Sequence, residues 1–314
     1  MILMKKKLVS IIIPCFNEEE NVFLAYRVLS EVTRKLTRFN FENIFVDNGS
    51  SDNTRRCIHE LVRKKSDVIG VYLTRNYGPE SSIQAGLDIA KGDGVIIYEC
   101  DMQDPPELIR KFIKKWEEGY EIVAGVRTKI EDDPMMVFLR TSFYKIFKLV
   151  SDIEVPVNSG SYGLMGRRAL DTMKRMPERF RFFRGLRAWI GYKTAYVKYE
   201  RKRRIRGKSS YNLLGYFKHA ERSFFGFSYL PLDMLVYSGF IVVACSFIFI
   251  IIYLLFLITS KTTMNGAVAI IMAIVFFGGV QLLALSVIGK YIQVIMEETK
   301  ARPTYIIDKI EKRR

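Results

Sequence analysis

The chain has 314 residues, room for one large or two smaller domains. Its 49 Lys and Arg against 33 Asp and Glu leave a formal net charge of +16, an excess that points to nucleic acid or an anionic membrane. Four cysteines without paired spacing and only two histidines speak against a disulfide framework, a zinc site or a histidine-based triad.

The N-terminus places Lys5, Lys6 and Lys7 after a very short apolar run and does not read as a signal peptide. From there to about residue 127 strand and helix patterns alternate. Short β-rich runs occur at 9–13, 44–46, 68–73, 95–98 and 122–124, and helical segments at 18–38, 52–65, 80–91 and 107–118. Such alternation predicts an α/β domain with a mostly parallel sheet covered by helices. Ligands of such sheets sit beyond the carboxyl ends of the strands. Polar clusters fall there: Pro14–Glu18, Asp47–Asp52, Arg75–Gly78 and Glu99–Glu107. No G-x-G-x-x-G follows a strand, so a dinucleotide cofactor is disfavoured.

The last cluster has the most chemistry. Glu99 and Asp101 follow the apolar run at alternate positions, and extended geometry would send both carboxylates to one face, with Gln103 continuing the row. Two carboxylates and an amide oxygen make a hard oxygen site suited to Mg²⁺ or Mn²⁺ holding a diphosphate. Asp104, before Pro105 and Pro106, is the N-cap candidate for the next helix.

Downstream, residues 138–150 have apolar spacing suited to an interfacial helix, with Arg140 facing phosphate or lipid. Residues 198–208 hold seven bases and one acid. Residues 213–229 interleave aromatic and charged side chains as an amphipathic interfacial helix does. Then 234–260 and 262–289 are 27 and 28 residues without charge, each beyond the roughly 20 helical residues that cross a bilayer. They predict a two-helix transmembrane hairpin. Basic residues on both flanks place both termini in the cytoplasm, on a multi-pass protein of the inner (plasma) membrane. Basic charge next to membrane spans argues for lipid contact and against nucleic acid. The expected organisation is a sheet domain over 1–210, an interfacial helix over 211–232, two transmembrane helices over 233–290 and a basic cytoplasmic tail over 291–314.

Taken in order, the four polar clusters resemble the nucleotide-sugar domain of GT-A (Rossmann-like) inverting glycosyltransferases. The closer resemblance is to polyprenyl-phosphate glycosyltransferases, the dolichyl-phosphate mannose synthases and bactoprenol glucosyltransferases. It continues through Pro177–Phe180, Arg184–Trp189, Arg204–Tyr211, the hairpin and Arg302–Ile307. The resemblance implies transfer of a hexose from a nucleotide diphosphate sugar, with a UDP-sugar as the expected donor, to a polyprenyl (undecaprenyl) phosphate for cell-envelope glycan modification, with a Mg²⁺ or Mn²⁺ cofactor. It places Pro14, Phe16, Glu18, Asp47, Asn48 and Arg75 on the nucleotide sugar, and Glu99, Asp101 and Gln103 on the metal. It puts Arg127 near the phosphates and Arg140, Arg204 and Ser209 at the acceptor phosphate, with Glu99, Asp101 and Arg127 as the catalytic set. The chain departs from the family pattern at Asn48, Pro79, Glu99, 158–163 and Ser210, mostly by removing charge. The sugar, the base and homo-oligomerisation stay open. So do two alternatives, a non-catalytic membrane-anchored nucleotide-sugar binder and a transferase using another lipid acceptor.

Overall fold

A computed structural model of the chain describes residues 6–129, 158–179, 181–201, 230–259 and 266–313. The described residues fall into two compact units, one built on a sheet that includes 302–313, the other on two long helices.

The sheet unit starts with β1 (Lys7–Cys15), α1 (Val22–Thr33), β2 (Phe39–Asp47), α2 (Thr54–Lys64), β3 (Val68–Leu73), α3 (Pro79–Ile89), β4 (Gly94–Ile97) and α4 (Leu108–Glu117). It continues with β5 (Ile122–Lys129), β6 (Ser159–Gly166), α5 (Arg167–Arg175), α6 (Phe183–Trp189) and β7 (Thr194–Glu200). β8 (Ile307–Lys312) follows the two long helices. Among the described residues the strand order is β7-β5-β6-β4-β1-β2-β3-β8. β1 pairs in parallel with both β2 and β4, and β2 with β3, so the order reverses between β1 and β4. That reversal opens a crevice at the strands' carboxyl ends. β6 runs antiparallel to β4 and β5, and β7 parallel to β5.

The central strands are apolar without alternation because helices cover both faces. Ile11, Ile12 and Ile13 of β1 are all fully buried. α1 turns Val22, Ala25, Leu29 and Val32 inward, a stripe at helical spacing, and α4 does the same with Leu108, Ile109, Phe112 and Ile113. Each such Ile or Leu stabilises the fold by about 1.5–3 kcal/mol relative to exposure.

Several expected boundaries move. The helix expected over 18–38 is confined to Val22–Thr33, because 17–21 form a turn with Asn17 at φ 55° and the Asn21 N–H on the Glu18 carbonyl. β2 begins at Phe39 and β5 runs on to Lys129, extended by pairing with β1 and β7 that no local pattern reveals. Trp116 packs against Phe39 beneath Lys7, whereas Trp189 is 63 % exposed.

In the second unit α7 (Leu230–Thr259) has 30 residues and α8 (Gly266–Thr299) has 34, about 45 and 51 Å at 1.5 Å per residue. Large apolar side chains such as Phe240, Ile252, Ile274 and Leu283 stand exposed along them. Among the described residues one stretch, Phe276–Thr299, meets the length and composition of a membrane span. The expected basic tail is structured. Residues 291–299 continue α8, and β8 pairs antiparallel with β3 at the sheet's edge. Asp308 pairs with Arg55, and the Glu311 carboxylate accepts from the Tyr72 hydroxyl at 2.9 Å and meets His59 Nδ1 at 2.8 Å. The Tyr305 hydroxyl donates to Asp88 at 2.6 Å. The interfacial helices expected over 138–150 and 213–229 lie outside the described residues.

Candidate active site

The acidic stretch leaves β4 at the crevice. Strand geometry stops at Ile97, so the expected extended row is replaced by a turn with Met102 at φ 60°, a left-handed conformation uncommon outside glycine. The Tyr98 hydroxyl holds that turn by donating to the Asp104 carbonyl at 3.1 Å. Glu99 and Asp101 converge all the same, on a guanidinium: Arg201 Nη2 lies 2.9 Å from Glu99 Oε2 and 3.4 Å from Asp101 Oδ2. The Gln103 backbone N–H donates to Asp101 Oδ1 at 3.1 Å.

Asp104 is not the expected N-cap. The cap of α4 is Glu107, and no side chain closes it. Asp104 is fully buried in the cluster instead, its Oδ1 accepting from the Tyr199 hydroxyl at 2.6 Å. That hydroxyl also accepts from Arg127 Nε at 3.2 Å. The triangle follows from strand register, since Arg127 on β5 and Tyr199 on β7 are direct partners. Gly160 on β6 leaves room for it, as a Cβ there would stand 2.9 Å from Arg127 Nη2. Arg127 Nη2 lies 3.9 Å from Asp104 Oδ2, and that oxygen is buried with no hydrogen-bond partner among the described residues.

Crowding shows in the electrostatics. Burial, and after it the charge of Glu99, push Asp101 up to about 6, with Arg201 and the Gln103 N–H opposing. Burial and Glu99 likewise raise Asp104, against Arg127 and Arg201. Burial disfavours a charged Arg127, but Glu99 and Asp104 outweigh it and hold the guanidinium cationic. Beside the cluster, burial pushes Glu80 up to about 7, moderated by Arg184, and burial lowers Arg187 to about 10. Arg187 donates to Ser159 Oγ at 2.8 Å and to the Gly160 carbonyl at 3.1 Å, tying α6 to the stretch that departs from the family pattern.

The expected nucleotide residues line the neighbouring strand ends. Pro14 and Cys15 of β1 are in register with Val46 and Asp47 of β2. Cys15 is surrounded by Cys100, Glu18 and Asp47; burial, then Cys100, raise it well above the ordinary thiol range and leave it unreactive. Asp47 Oδ1 accepts from the Ser50 N–H at 3.1 Å, and Glu18 Oε2 from Asn21 Nδ2 at 2.6 Å. Phe16 is half-buried beside them, and Arg75 is exposed with its guanidinium 4.1 Å over the Tyr77 ring. Asn48 has a different job. Its Nδ2 donates to Asn76 Oδ1 and to the Gly78 carbonyl, both at 3.1 Å, and its Oδ1 accepts from the Tyr77 N–H at 3.0 Å. An aspartate could not donate, so Asn48 latches the 76–78 loop. Gly49, at φ 70°, lets that loop approach, since a Cβ there would stand 2.4 Å from the Arg75 carbonyl carbon.

Arg140, Arg204 and Ser209 lie outside the described residues. Asp104, Tyr199 and Arg201 were not foreseen. The available signal was the period-two spacing of Val197, Tyr199 and Arg201, hidden in a run of bases.

Among the described residues no three His, Cys, Asp or Glu side chains form a ready-made metal cage. The donor set nonetheless fits a divalent cation. Glu99 and Asp101 close on a single nitrogen, and Asp104 Oδ2 beside them has no hydrogen-bond partner among the described residues. Mg²⁺ usually takes one or two carboxylates and completes its shell with phosphate oxygens and water.

A mixed α/β sheet that carries an acidic cluster and two arginines at its switch point suits a charged ligand. Residues 10–173 match the Glycosyl transferase family 2, and the chain belongs to that family; it is a glycosyltransferase. It is 37 % identical over 299 residues to an uncharacterised glycosyltransferase of Synechocystis, covering 95 % of this chain and 94 % of that one. A prophage bactoprenol glucosyl transferase homologue of Escherichia coli is 34 % identical over 305 residues, covering 97 % and 99 %. A mannosyltransferase of Pyrobaculum calidifontis, solved with GDP-Man and Mn²⁺, is 14 % identical with a TM-score of 0.46, covering 95 % and 88 %.

Proposed function

We propose that the enzyme transfers a hexose, with inversion, from a nucleotide diphosphate sugar to a polyprenyl phosphate at the cytoplasmic membrane face. The relatives named bactoprenol glucosyl transferase favour glucose as the sugar and a bactoprenol lipid as the acceptor, and we take UDP as the nucleotide and undecaprenyl phosphate as the lipid. The observation that carries the reading is the convergence of Glu99, Asp101 and Asp104 with Arg127 and Arg201 at the sheet's switch point.

Glu99 and Asp101 would hold a Mg²⁺ or Mn²⁺ ion, which supplies neutralisation of the charge developing on the leaving diphosphate. Asp47, Glu18 and Phe16 bind the nucleoside at the ends of β1 and β2. Arg127, held by Tyr199, directs positive charge toward the phosphates. Arg140, Arg204 and Ser209 serve the acceptor. A phosphate monoester has a second pKa of about 6 and is largely ionised near pH 7, so the acceptor oxygen attacks C1 without a dedicated base. This accords with a chain holding two histidines. α7 and α8 are assigned as a membrane hairpin with both termini cytoplasmic. The pairing of β8 with β3 supports this, because the chain returns after α8 to the sheet it left.

The test is to incubate the purified full chain with undecaprenyl phosphate, Mn²⁺ and a panel of radiolabelled nucleotide sugars, then extract lipid. Label in the lipid phase with UDP-glucose is the expected result. Firm UDP binding without lipid product from any donor would instead support a nucleotide-sugar binder. Product only with diacylglycerol would change the acceptor.

A further inference from the structure

We propose that Arg201 is a tethered counter-cation of the donor site. It fills the place between Glu99 and Asp101 until a divalent ion arrives, and it must withdraw for that ion to bind. The inference rests on the metal-dependent reading above and adds a residue to it.

One nitrogen carries the argument. Arg201 Nη2 sits on Glu99 Oε2 and Asp101 Oδ2 at once, at 2.9 and 3.4 Å. A cation taking the same two oxygens takes the place of that nitrogen. The charge count points the same way. Three carboxylates, Glu99, Asp101 and Asp104, face two guanidiniums, those of Arg127 and Arg201. The free cluster is thus close to balanced. A divalent ion added with both arginines in place would carry the cluster to a net +1, whereas with Arg201 withdrawn the ion and Arg127 balance the three carboxylates, and in a poorly solvated site like charges repel most.

A permanent structural salt bridge should also satisfy its donors and acceptors. This one does not. Arg201 Nε is buried without a hydrogen-bond partner among the described residues, 3.6 Å from Asp104 Oδ1. Asp104 is almost wholly buried, and its Oδ2 is likewise without a hydrogen bond there. Two orphaned atoms on facing groups mark an arrangement still short of a ligand. Arg127 offers the contrast, with its Nε engaged by Tyr199 and its strand paired on both sides. Arg127 is built in, whereas Arg201 stands just past the end of β7.

The experiment measures Mn²⁺ binding, without nucleotide, to the full chain in detergent by the electron paramagnetic resonance of free Mn²⁺. Arg201→Gln keeps a polar side chain and removes the charge, and should bind Mn²⁺ at least about tenfold more tightly than wild type. Adding Asp101→Asn should abolish the gain. A merely structural arginine predicts the opposite, since its loss would loosen the site and weaken metal binding. Equal or weaker Mn²⁺ affinity in Arg201→Gln overturns the proposal, as does a gain that survives Asp101→Asn. Should Arg201→Gln fail to fold, Arg201→Lys decides. Its single ammonium cannot span the carboxylates as the fork does, so Mn²⁺ should bind several-fold more tightly, and unchanged affinity refutes the idea. Lipid-linked sugar formation is followed on the same preparations. Loss of the transferase reading, seen as no product from wild type with any donor, is thereby told apart from loss of this one, seen as unaltered Mn²⁺ affinity.

Discussion

Replacing Tyr199 by Phe removes one oxygen and tests how the active site is held together. That hydroxyl is the hydrogen-bond donor to Asp104 Oδ1, at 2.6 Å, and the acceptor for Arg127 Nε, at 3.2 Å. Without it Asp104 Oδ1 keeps only Arg201 Nε at 3.6 Å, while Oδ2 already has no hydrogen bond among the described residues. A hydrogen bond to a charged group contributes about 1.5–3 kcal/mol, and stranding a buried carboxylate costs at least as much. Tyr199→Phe should therefore lower the stability of the sheet domain by about 2 kcal/mol, a fall of roughly 4–8 °C in its midpoint. The assay is thermal and urea unfolding of the full chain in detergent, followed by fluorescence of Trp116 and Trp189, the chain's two tryptophans, both in that domain. Asp104→Asn, alone and combined with Tyr199→Phe, completes a double-mutant cycle, and a coupling of at least about 1 kcal/mol is expected. A loss below about 0.5 kcal/mol, or strict additivity, would show that the hydroxyl does not act through Asp104.

Asp101→Asn keeps shape but loses the charge that would hold the divalent cation, and should cut lipid-linked sugar formation by about 10- to 150-fold, read by extraction of labelled lipid. Glu80, raised above the ordinary carboxylate value to about 7 by burial, favours the fold below about pH 4.5 and loses that contribution as pH rises through 7. Glu80→Gln should match wild type near pH 4.5 and exceed it by up to about 3 kcal/mol at pH 8, and equal stabilities at pH 8 would contradict this. Glu311 runs the other way: burial opposes its charge, but hydrogen bonds from Lys309, His59 and Tyr72 prevail and hold it near 2. Its contribution is present above the ordinary value and fades as pH falls toward 2, so Glu311→Gln should speed amide exchange in β3 and β8 at pH 7 far more than at pH 3. A reporter after Arg314 should read as cytoplasmic and a tag between 262 and 265 as external, and a protected tag would reverse the hairpin.

The fold was largely legible because its signals are local. Runs such as Ile11–Ile13 and Val68–Leu73 are apolar enough to be strands buried on both faces, and Glu99 with Asp101 stood out as acids at a strand's carboxyl end. What stayed hidden depends on partners far along the chain. Asp104 resembles a cap in every local respect and becomes a site acid only because Tyr199, 95 positions later, reaches it. Arg201 looks like one base among seven until β7 pairs with β5 and carries it to the cluster. Asn48 resembles a weakened acid of the family pattern, yet its amide donors are what the 76–78 loop requires. Composition and spacing register residue types. They do not register which distant strand will lie alongside.

The C-terminal strand bears on membrane topology through parity. Every strand from β1 to β7 precedes the two long helices, and β8 follows them, yet β8 pairs with β3 from Ile69 to Leu73 in the same sheet. A hydrogen-bonded sheet cannot be divided by a bilayer, so in the proposed membrane arrangement Glu200 and Ile307 lie on one side of it. Any crossings made by the chain between them must then be even in number. Within α8, Phe276–Thr299 has the length and apolarity of one crossing. If that stretch spans the membrane, a second crossing must occur before it, and α7, with 30 residues and a single charge at Asp233, is the segment to which the proposed hairpin assigns it. Removing β8 by ending the chain at Ala301 would relax this constraint. The truncated protein should lose a fixed orientation before it loses membrane attachment, and a C-terminal reporter that still reads uniformly cytoplasmic would show that the basic flanks alone set the topology.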